Sequence, residues 1–191
     1  MILGALFGDS RLTTTAADLY GAVVAQARRI PFYRDLGVPD TVDGRFEMIV
    51  LHTLLILGRL RQEGDSGAAL SQALFDVLLD DMDRSLRELG VGDLGVGRRV
   101  KAMGKAFYGR ADAYEAALGA DGGAGDNALA DALRRNLYGT VEADDHQIAV
   151  IIAYIRREIA GLAGQPGRDL LAGKVAFGAP PADKEAGNGE A

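Results

Sequence analysis

The spacing of apolar residues constrains this chain more than any other feature of its sequence. Between residues 67 and 89 the apolar positions recur three or four apart: Leu74, Leu78, Met82, Leu86 and Leu89. That spacing lines one face of an α-helix, whereas a half-buried strand would alternate every second residue. The same spacing runs through most of the chain, and no segment alternates convincingly with period two. The sequence therefore predicts an all-α fold.

Breaks rich in Gly, Pro and Asp divide this pattern into six helical segments. The predicted helices cover residues 15–30, 45–63, 67–89, 95–118, 127–138 and 144–162. Asp43 or Gly44 is the predicted N-cap of the second helix, and Asp126 or Asn127 that of the fifth. We expect a single compact bundle of about six helices.

The 191 residues suffice for one well-buried domain. We expect an N-terminal extension over residues 1–14 and a helical domain over 15–164. Residues 165–191 are rich in Gly, Ala, Pro and charge, a composition typical of disorder. They are predicted to form a disordered tail with one helical turn near residues 168–172.

Composition excludes several functions. The net charge of −6 disfavours nucleic-acid binding by the whole molecule, and we expect no specific DNA binding. The absence of cysteine excludes disulfides, thiolate metal sites and a cysteine nucleophile. His52 and His146 are too few for a zinc site; His52 is predicted to be buried and hydrogen-bonded, and His146 to face solvent. No serine has the surroundings of an activated nucleophile, so we predict a protein that is not an enzyme and that has no metal or cofactor.

No targeting or membrane-spanning segment is recognisable. The apolar N-terminus lacks the basic start of a secretory signal and the arginines of a transit peptide. The longest nearly uninterrupted apolar stretch, residues 48–57, is well short of the roughly 20 residues that span a bilayer. The sequence predicts a soluble, cytoplasmic protein.

Gly90, Gly92 and Gly95 spell G-x-G-x-x-G, and Glu115 lies where a ribose-binding acid would be expected. The dinucleotide fingerprint requires a strand before the glycines. Here an amphipathic helical segment precedes them, so Gly90 is predicted to end that helix in a left-handed conformation. We interpret the motif as a helix–turn–helix.

Two neighbouring predicted helices carry opposite charges. Asp76, Asp80 and Asp83 share one face, with Arg84 and Arg87 four residues after two of them. Three interpretations stay open for this face: a solvated surface with internal ion pairs, a partner-docking surface, or a carboxylate metal site.

The next helix carries Arg98, Lys101 and Lys105 on one face, with Tyr108 as an exposed aromatic residue and Phe107 in the core. The two faces pair across antiparallel helices, or the basic one binds phospholipid head groups, RNA or an acidic partner segment. We call the candidate partner-binding residues the charged rim. It comprises Asp76, Asp80, Asp83, Arg84, Arg98, Lys101, Lys105 and Tyr108.

Three stretches carry a family resemblance: FYRDLGVPDT (32–41), LFDVLLDDMDRSLRELGVGD (74–93) and FYGRADAY (107–114). Together they resemble the ubiquinol–cytochrome c chaperone family, over about residues 15 to 163. The resemblance implies a non-enzymatic assembly factor for respiratory complex III that binds newly made cytochrome b. It implies the ribosome and a small helical co-chaperone as further partners.

Because no transit peptide is recognisable, we expect a bacterial-type member with peripheral contact to the inner membrane. A client rich in membrane-spanning helices would need an apolar groove with charged rims, and the charged rim is the candidate for these. The alternative from another class is a helical adaptor or peripheral membrane protein that binds anionic lipid, or another acidic partner, through the basic face.

Overall fold

A computed structural model describes residues 3–120, 122–139 and 141–181 of the chain. Six long helices dominate this part, together with two short ones, and they agree with the predicted all-α bundle. The helices are α1 (Leu3–Ala27), α2 (Ile30–Arg34), α3 (Val42–Leu60), α4 (Gly64–Glu88), α5 (Asp93–Gly119), α6 (Gly122–Asn136), α7 (Asp145–Ala163) and α8 (Gly167–Leu170).

Helix α3 lies at the centre of the bundle because its apolar residues occupy almost every face. Met48, Ile56 and Leu60 have no solvent exposure. Helix α1 packs on α3 and α4, helix α5 on α4 and α6, and α7 on α3 and α6. The described buried side chains form one continuous core.

The N-terminal caps differ from those predicted. Thr41, not Asp43 or Gly44, caps α3, with its Oγ1 accepting a bond of 3.1 Å from the Gly44 amide. Asp126 and Asn127 lie inside α6, which already includes Gly122. Both cap predictions are wrong because the helices extend further toward the N-terminus than their apolar stripes do.

The glycine-rich stretch forms a turn between two antiparallel helices. Gly90 has a φ of 79°, and its amide donates to the Arg87 carbonyl at 2.9 Å. An L-residue with a side chain is strained in this left-handed region, whereas glycine is not. Helix α4 precedes the turn and α5 follows it, so the predicted helix–turn–helix is confirmed.

Both ends of the chain contribute more structure than predicted. Helix α1 begins at Leu3, so the expected N-terminal extension belongs to the first long helix. Residues 165–181 are not a disordered tail: Leu170 is fully buried, and Val175 and Phe177 pack against the core. The predicted helical turn near residue 168 is α8. Residues 182–191 of the predicted tail lie outside the described part of the chain.

Candidate partner-binding surface

Helix α4 carries the acidic half of the charged rim on its outer side. Asp76 and Asp80 are exposed, and Asp76 accepts a hydrogen bond of 2.8 Å from the Gln72 amide. Asp83 pairs with Arg87 at 2.5 Å, and Arg87 also contacts Asp93 at the start of α5. Ion pairs within the surface therefore account for part of the acidic charge. This agrees with the first of the three interpretations, a solvated surface with internal ion pairs.

Helix α5 carries the basic half. Arg98, Lys101 and Lys105 are all exposed. Helices α4 and α5 are antiparallel neighbours, since Phe75 contacts Phe107 near the middle of both helices and Arg87 contacts Asp93 beside the turn that joins them. Even so, among the residues that the structure describes, no carboxylate lies within 4.0 Å of these three cations. Of the two alternatives, pairing with the acidic face is therefore not seen for these three cations in the described residues, and their charge is available to a partner.

An aromatic cluster joins the two halves of the rim. The Phe75 ring lies 5.0 Å from that of Phe107 and 5.3 Å from that of Tyr108. Phe107 is buried and Tyr108 is 57% exposed, as predicted for both. Leu57 and Ala68 join these rings in lining a shallow groove of about 410 Å³, which we call the aromatic groove.

A larger apolar groove lies on the other side of α5. Its volume is about 760 Å³, and Phe46, Leu86 and Met103 are among its apolar lining residues. Val42 and Leu89 at its edge are each 62% exposed. We call it the α5–α6 groove. Large apolar side chains left in solvent beside a concave surface are typical of interaction sites.

A buried ion pair forms one wall of the α5–α6 groove. Arg110 donates two hydrogen bonds to the Glu47 carboxylate. Its Nε donates to Oε2 at 2.5 Å, and its Nη2 donates to Oε1. Burial raises the pKa of Glu47, and the hydrogen bonds and charge of Arg110 act in the opposite direction. Although Arg110 lies on the same helix as Arg98, Lys101 and Lys105, its charge is paired with the buried Glu47 carboxylate. The sequence feature that could have indicated this pair is Glu47, an acid within the apolar stretch of α3, which needs a partner if it is buried.

The two histidines lie where the sequence predicted. His52 is fully buried, with hydrogen bonds from its two ring nitrogens to Met48 and Tyr154. His146 is exposed near the start of α7. No group of three or more acidic or histidine side chains within the described ranges is arranged to hold a metal ion. Glu115, which lies where the glycine motif would place a ribose-binding acid, contacts the Arg61 guanidinium.

Membrane insertion of a helix is not indicated in the described part of the chain. None of the helices there combines the length and apolar character that crossing a bilayer requires.

The described residues thus form an all-helical bundle with an apolar groove on each side of one basic helix. The chain belongs to the ubiquinol–cytochrome c chaperone family, because the sequence model of that family matches residues 34–177. The resemblance seen in the sequence is therefore confirmed.

Known relatives agree with this assignment. The chain is 24% identical to ubiquinol–cytochrome c reductase complex assembly factor 1 of Xenopus laevis, over 84% of this chain and 78% of that protein. It is 26% identical to the Homo sapiens protein of the same name, covering 84% of this chain and 52% of the relative. The chain thus spans about half the length of the human protein.

A solved structure is similar throughout. The crystal structure of the Cbp3 homolog from Brucella abortus superposes with a TM-score of 0.78 at 38% identity, covering 94% of this chain and 97% of that one. Sequence and fold therefore point to the same family.

Proposed function

We propose that this protein is a non-enzymatic assembly chaperone for ubiquinol–cytochrome c reductase and that it binds newly made cytochrome b. The observation that carries the proposal is the family match over residues 34–177. The known relatives named above are assembly factors of the same enzyme. Cytochrome b is the client that the family resemblance implies.

The geometry around α5 supports this role. An unassembled membrane protein exposes apolar helices, and removing their surface from water is favourable. The α5–α6 groove and the aromatic groove offer apolar surface on both sides of α5, and Arg98, Lys101 and Lys105 lie exposed along the same helix. Apolar contact would supply affinity, and the unpaired cations would favour acidic or backbone-carbonyl groups beside the client's helices.

A difference spectrum tests the proposed role in the cell. Reduced-minus-oxidised spectra are recorded on membranes from a strain that lacks the gene and from the same strain carrying it on a plasmid. We expect the cytochrome b signal of complex III to be lost in the first and restored in the second, with the signals of the terminal oxidases unchanged. An unchanged spectrum, under growth conditions that require complex III, would contradict the proposal.

Further partners and the location follow from the same proposal. The ribosome and a small helical co-chaperone are proposed partners during client synthesis, when the client's apolar segments first emerge. The proposed location is the cytoplasmic side of the inner membrane, with peripheral contact. Crosslinking in translating cells, followed by mass spectrometry of the adducts, tests these assignments together.

A lipid-binding adaptor is the second candidate function, and the exposed cations beside Tyr108 favour it. Basic side chains attract anionic lipid head groups, and an aromatic residue can anchor at the interface. Flotation of the purified protein with anionic and with neutral vesicles tests whether the basic face binds lipid without a client, which the adaptor requires. Strong, salt-sensitive binding to anionic vesicles without a client, abolished by reversal of the three cations, would favour the adaptor. No binding would eliminate it.

A further inference from the structure

The segment after α8 lies in a groove against α1 and α7, and its residues 174–178 alternate between exposed and partly buried, as in an extended chain. We call residues 174–179, with the sequence KVAFGA, the C-terminal strap, and the surface beneath it the strap groove. Val175 and Phe177 are partly buried against the core. The Phe177 ring meets the buried His52 ring edge-on, with 5.2 Å between the centroids. Two apolar side chains, two residues apart, therefore anchor the strap.

Gln165 recognises the main chain of the strap at its centre. Its Oε1 accepts from the Ala176 amide at 2.9 Å, and its Nε2 donates to the Ala176 carbonyl at 2.7 Å. Ala176 itself is exposed. A side chain that satisfies both main-chain groups of one residue substitutes for a neighbouring β-strand, so it reads an extended backbone and not a particular side chain.

Two further buried side chains repeat this pattern two residues later. Glu158, 3% exposed, accepts from the Gly178 amide at 2.8 Å, and Gln26, 8% exposed, donates to the Gly178 carbonyl at 2.9 Å. Arg157 contacts the Ala179 carbonyl as well. Gln26 also donates to the Tyr154 hydroxyl and Glu158 also pairs with Arg157, so both side chains are held in position facing the backbone of the strap.

The groove also selects a side chain. A Cβ atom on residue 178 would lie 2.7 Å from Oε1 of Glu158 and 3.3 Å from a guanidinium nitrogen of Arg157. Any larger residue at this position would have to displace the Glu158 carboxylate, which accepts from the residue 178 amide, so glycine is favoured there. The strap groove therefore fits an extended segment with an apolar residue, any residue, an aromatic residue and then glycine.

We propose that the strap groove is a peptide-binding site, separate from the surface around α5, and that the C-terminal strap occupies it as an exchangeable ligand within the chain. Its external ligand is an extended peptide of the apolar–any–aromatic–glycine pattern. Residues 174–181 have no regular secondary structure. Since side chains of the groove make most of the polar contacts to the strap, another segment of the same pattern can form the same contacts. The proposal does not depend on the identity of the client.

A peptide of residues 173–181 with a fluorescent label is the probe, and its fluorescence anisotropy is the measurement. Full-length wild-type protein and the full-length Phe177→Ala variant, whose strap lacks its main anchor, are titrated. We expect saturable binding to the variant and at least about tenfold weaker apparent binding to wild type, where the strap competes.

Two substituted peptides test the pattern. The Gly178→Val peptide is expected to bind the variant at least about tenfold more weakly, equivalent to about 1.4 kcal/mol. The Ala176→Val peptide is the matched control, since that position faces solvent, and is expected to bind nearly as the parent does. A folded Phe177→Ala variant that binds no peptide, or equal binding of all three peptides, would overturn the proposal.

Hydrogen exchange of the wild-type protein gives a test that needs no variant. An exchangeable strap opens without the rest of the fold. The amides of Ala176 and Gly178 are therefore expected to exchange at least about tenfold faster than the Ile155 amide in α7. Equal protection of the three amides would show that the strap leaves only on global unfolding, and would overturn the proposal even if Phe177→Ala did not fold.

Discussion

His52 shows how one buried polar residue is accommodated in an apolar helix. Its Nδ1 lies 2.7 Å from the Met48 carbonyl, which can only accept, so Nδ1 carries the proton. Its Nε2 lies 2.6 Å from the Tyr154 hydroxyl and accepts from it. Gln26 in turn donates to that hydroxyl at 2.9 Å. Neutral His52 is therefore fully satisfied, and a protonated ring would have to break this network.

The pH dependence of stability should report that network. Burial lowers the pKa of His52 to about 4 from its ordinary value of 6.5. Between these values the unfolded chain binds a proton that the folded chain does not, so stability falls as the pH drops below 6.5. We expect wild type to lose about 2 kcal/mol more than His52→Gln between pH 7 and pH 5, measured by urea unfolding. Equal losses in the two proteins would contradict the assignment of His52.

The Glu47–Arg110 pair makes a second prediction at this scale. Arg110→Met leaves the buried Glu47 carboxylate without its partner, and we expect a loss of about 3 kcal/mol in the free energy of unfolding. Adding Glu47→Leu should restore most of that loss, because no buried charge then stays unpaired. Arg134→Met is the control: its partner Asp145 is exposed, so the cost should stay under about 1 kcal/mol. A small effect of Arg110→Met, equal to the control, would show that the pair is not buried in solution.

Among the elements, the turn between α4 and α5 requires a left-handed backbone conformation at one residue, Gly90. A Cβ at Gly90 would meet no atom within 4 Å, so the cost of Gly90→Ala comes only from its φ of 79°. We expect about 1 kcal/mol of destabilisation in thermal or urea unfolding. Gly92→Ala is the matched control, since Gly92 has a φ of −64° and equally open space. Equal stabilities of the two variants would contradict the left-handed turn.

An element could be predicted from the sequence when the residues that determine it lie within its own segment. The six long helices were predictable because the apolar period lies within each segment, and the Gly90 turn because a helix clearly precedes it. The order of the C-terminal strap was not predictable, since it lies in a segment, residues 165–191, that is rich in Gly, Ala and Pro. Its order comes from residues far away in the sequence: Gln26 and Gly178 are 152 positions apart. A single sequence gives no signal for such a contact.

At the scale of the whole molecule, the same limit applies to the candidate surface. Helical periodicity predicted that Arg98, Lys101 and Lys105 share a face and that Tyr108 is exposed. It could not predict that the acidic residues of α4 leave these cations unpaired, nor that apolar grooves flank α5. Both properties depend on which helices are neighbours and on how far apart they lie. The role of the charged rim in binding stays a prediction.

Charge reversal tests that role in the intact protein. We expect Arg98→Glu, Lys101→Glu and Lys105→Glu together to reduce the cytochrome b recovered with the chaperone by at least about tenfold. The melting temperature should change little, because these side chains are exposed. The control reverses the exposed Arg28, Arg29 and Arg168, which changes the net charge equally at positions off α5. Equal losses in both triple variants would assign the effect to net charge and not to α5.

Site-specific photo-crosslinking shows whether newly made cytochrome b lies against the surface around α5. A photoreactive residue is placed at position 89, 101 or 108 around α5, or at position 168 as a control, in cells that are translating cytochrome b. The account predicts an adduct with cytochrome b from the α5 positions and none from position 168. Absence of the adduct from all three α5 positions, with the chaperone folded and present at the membrane, would contradict it.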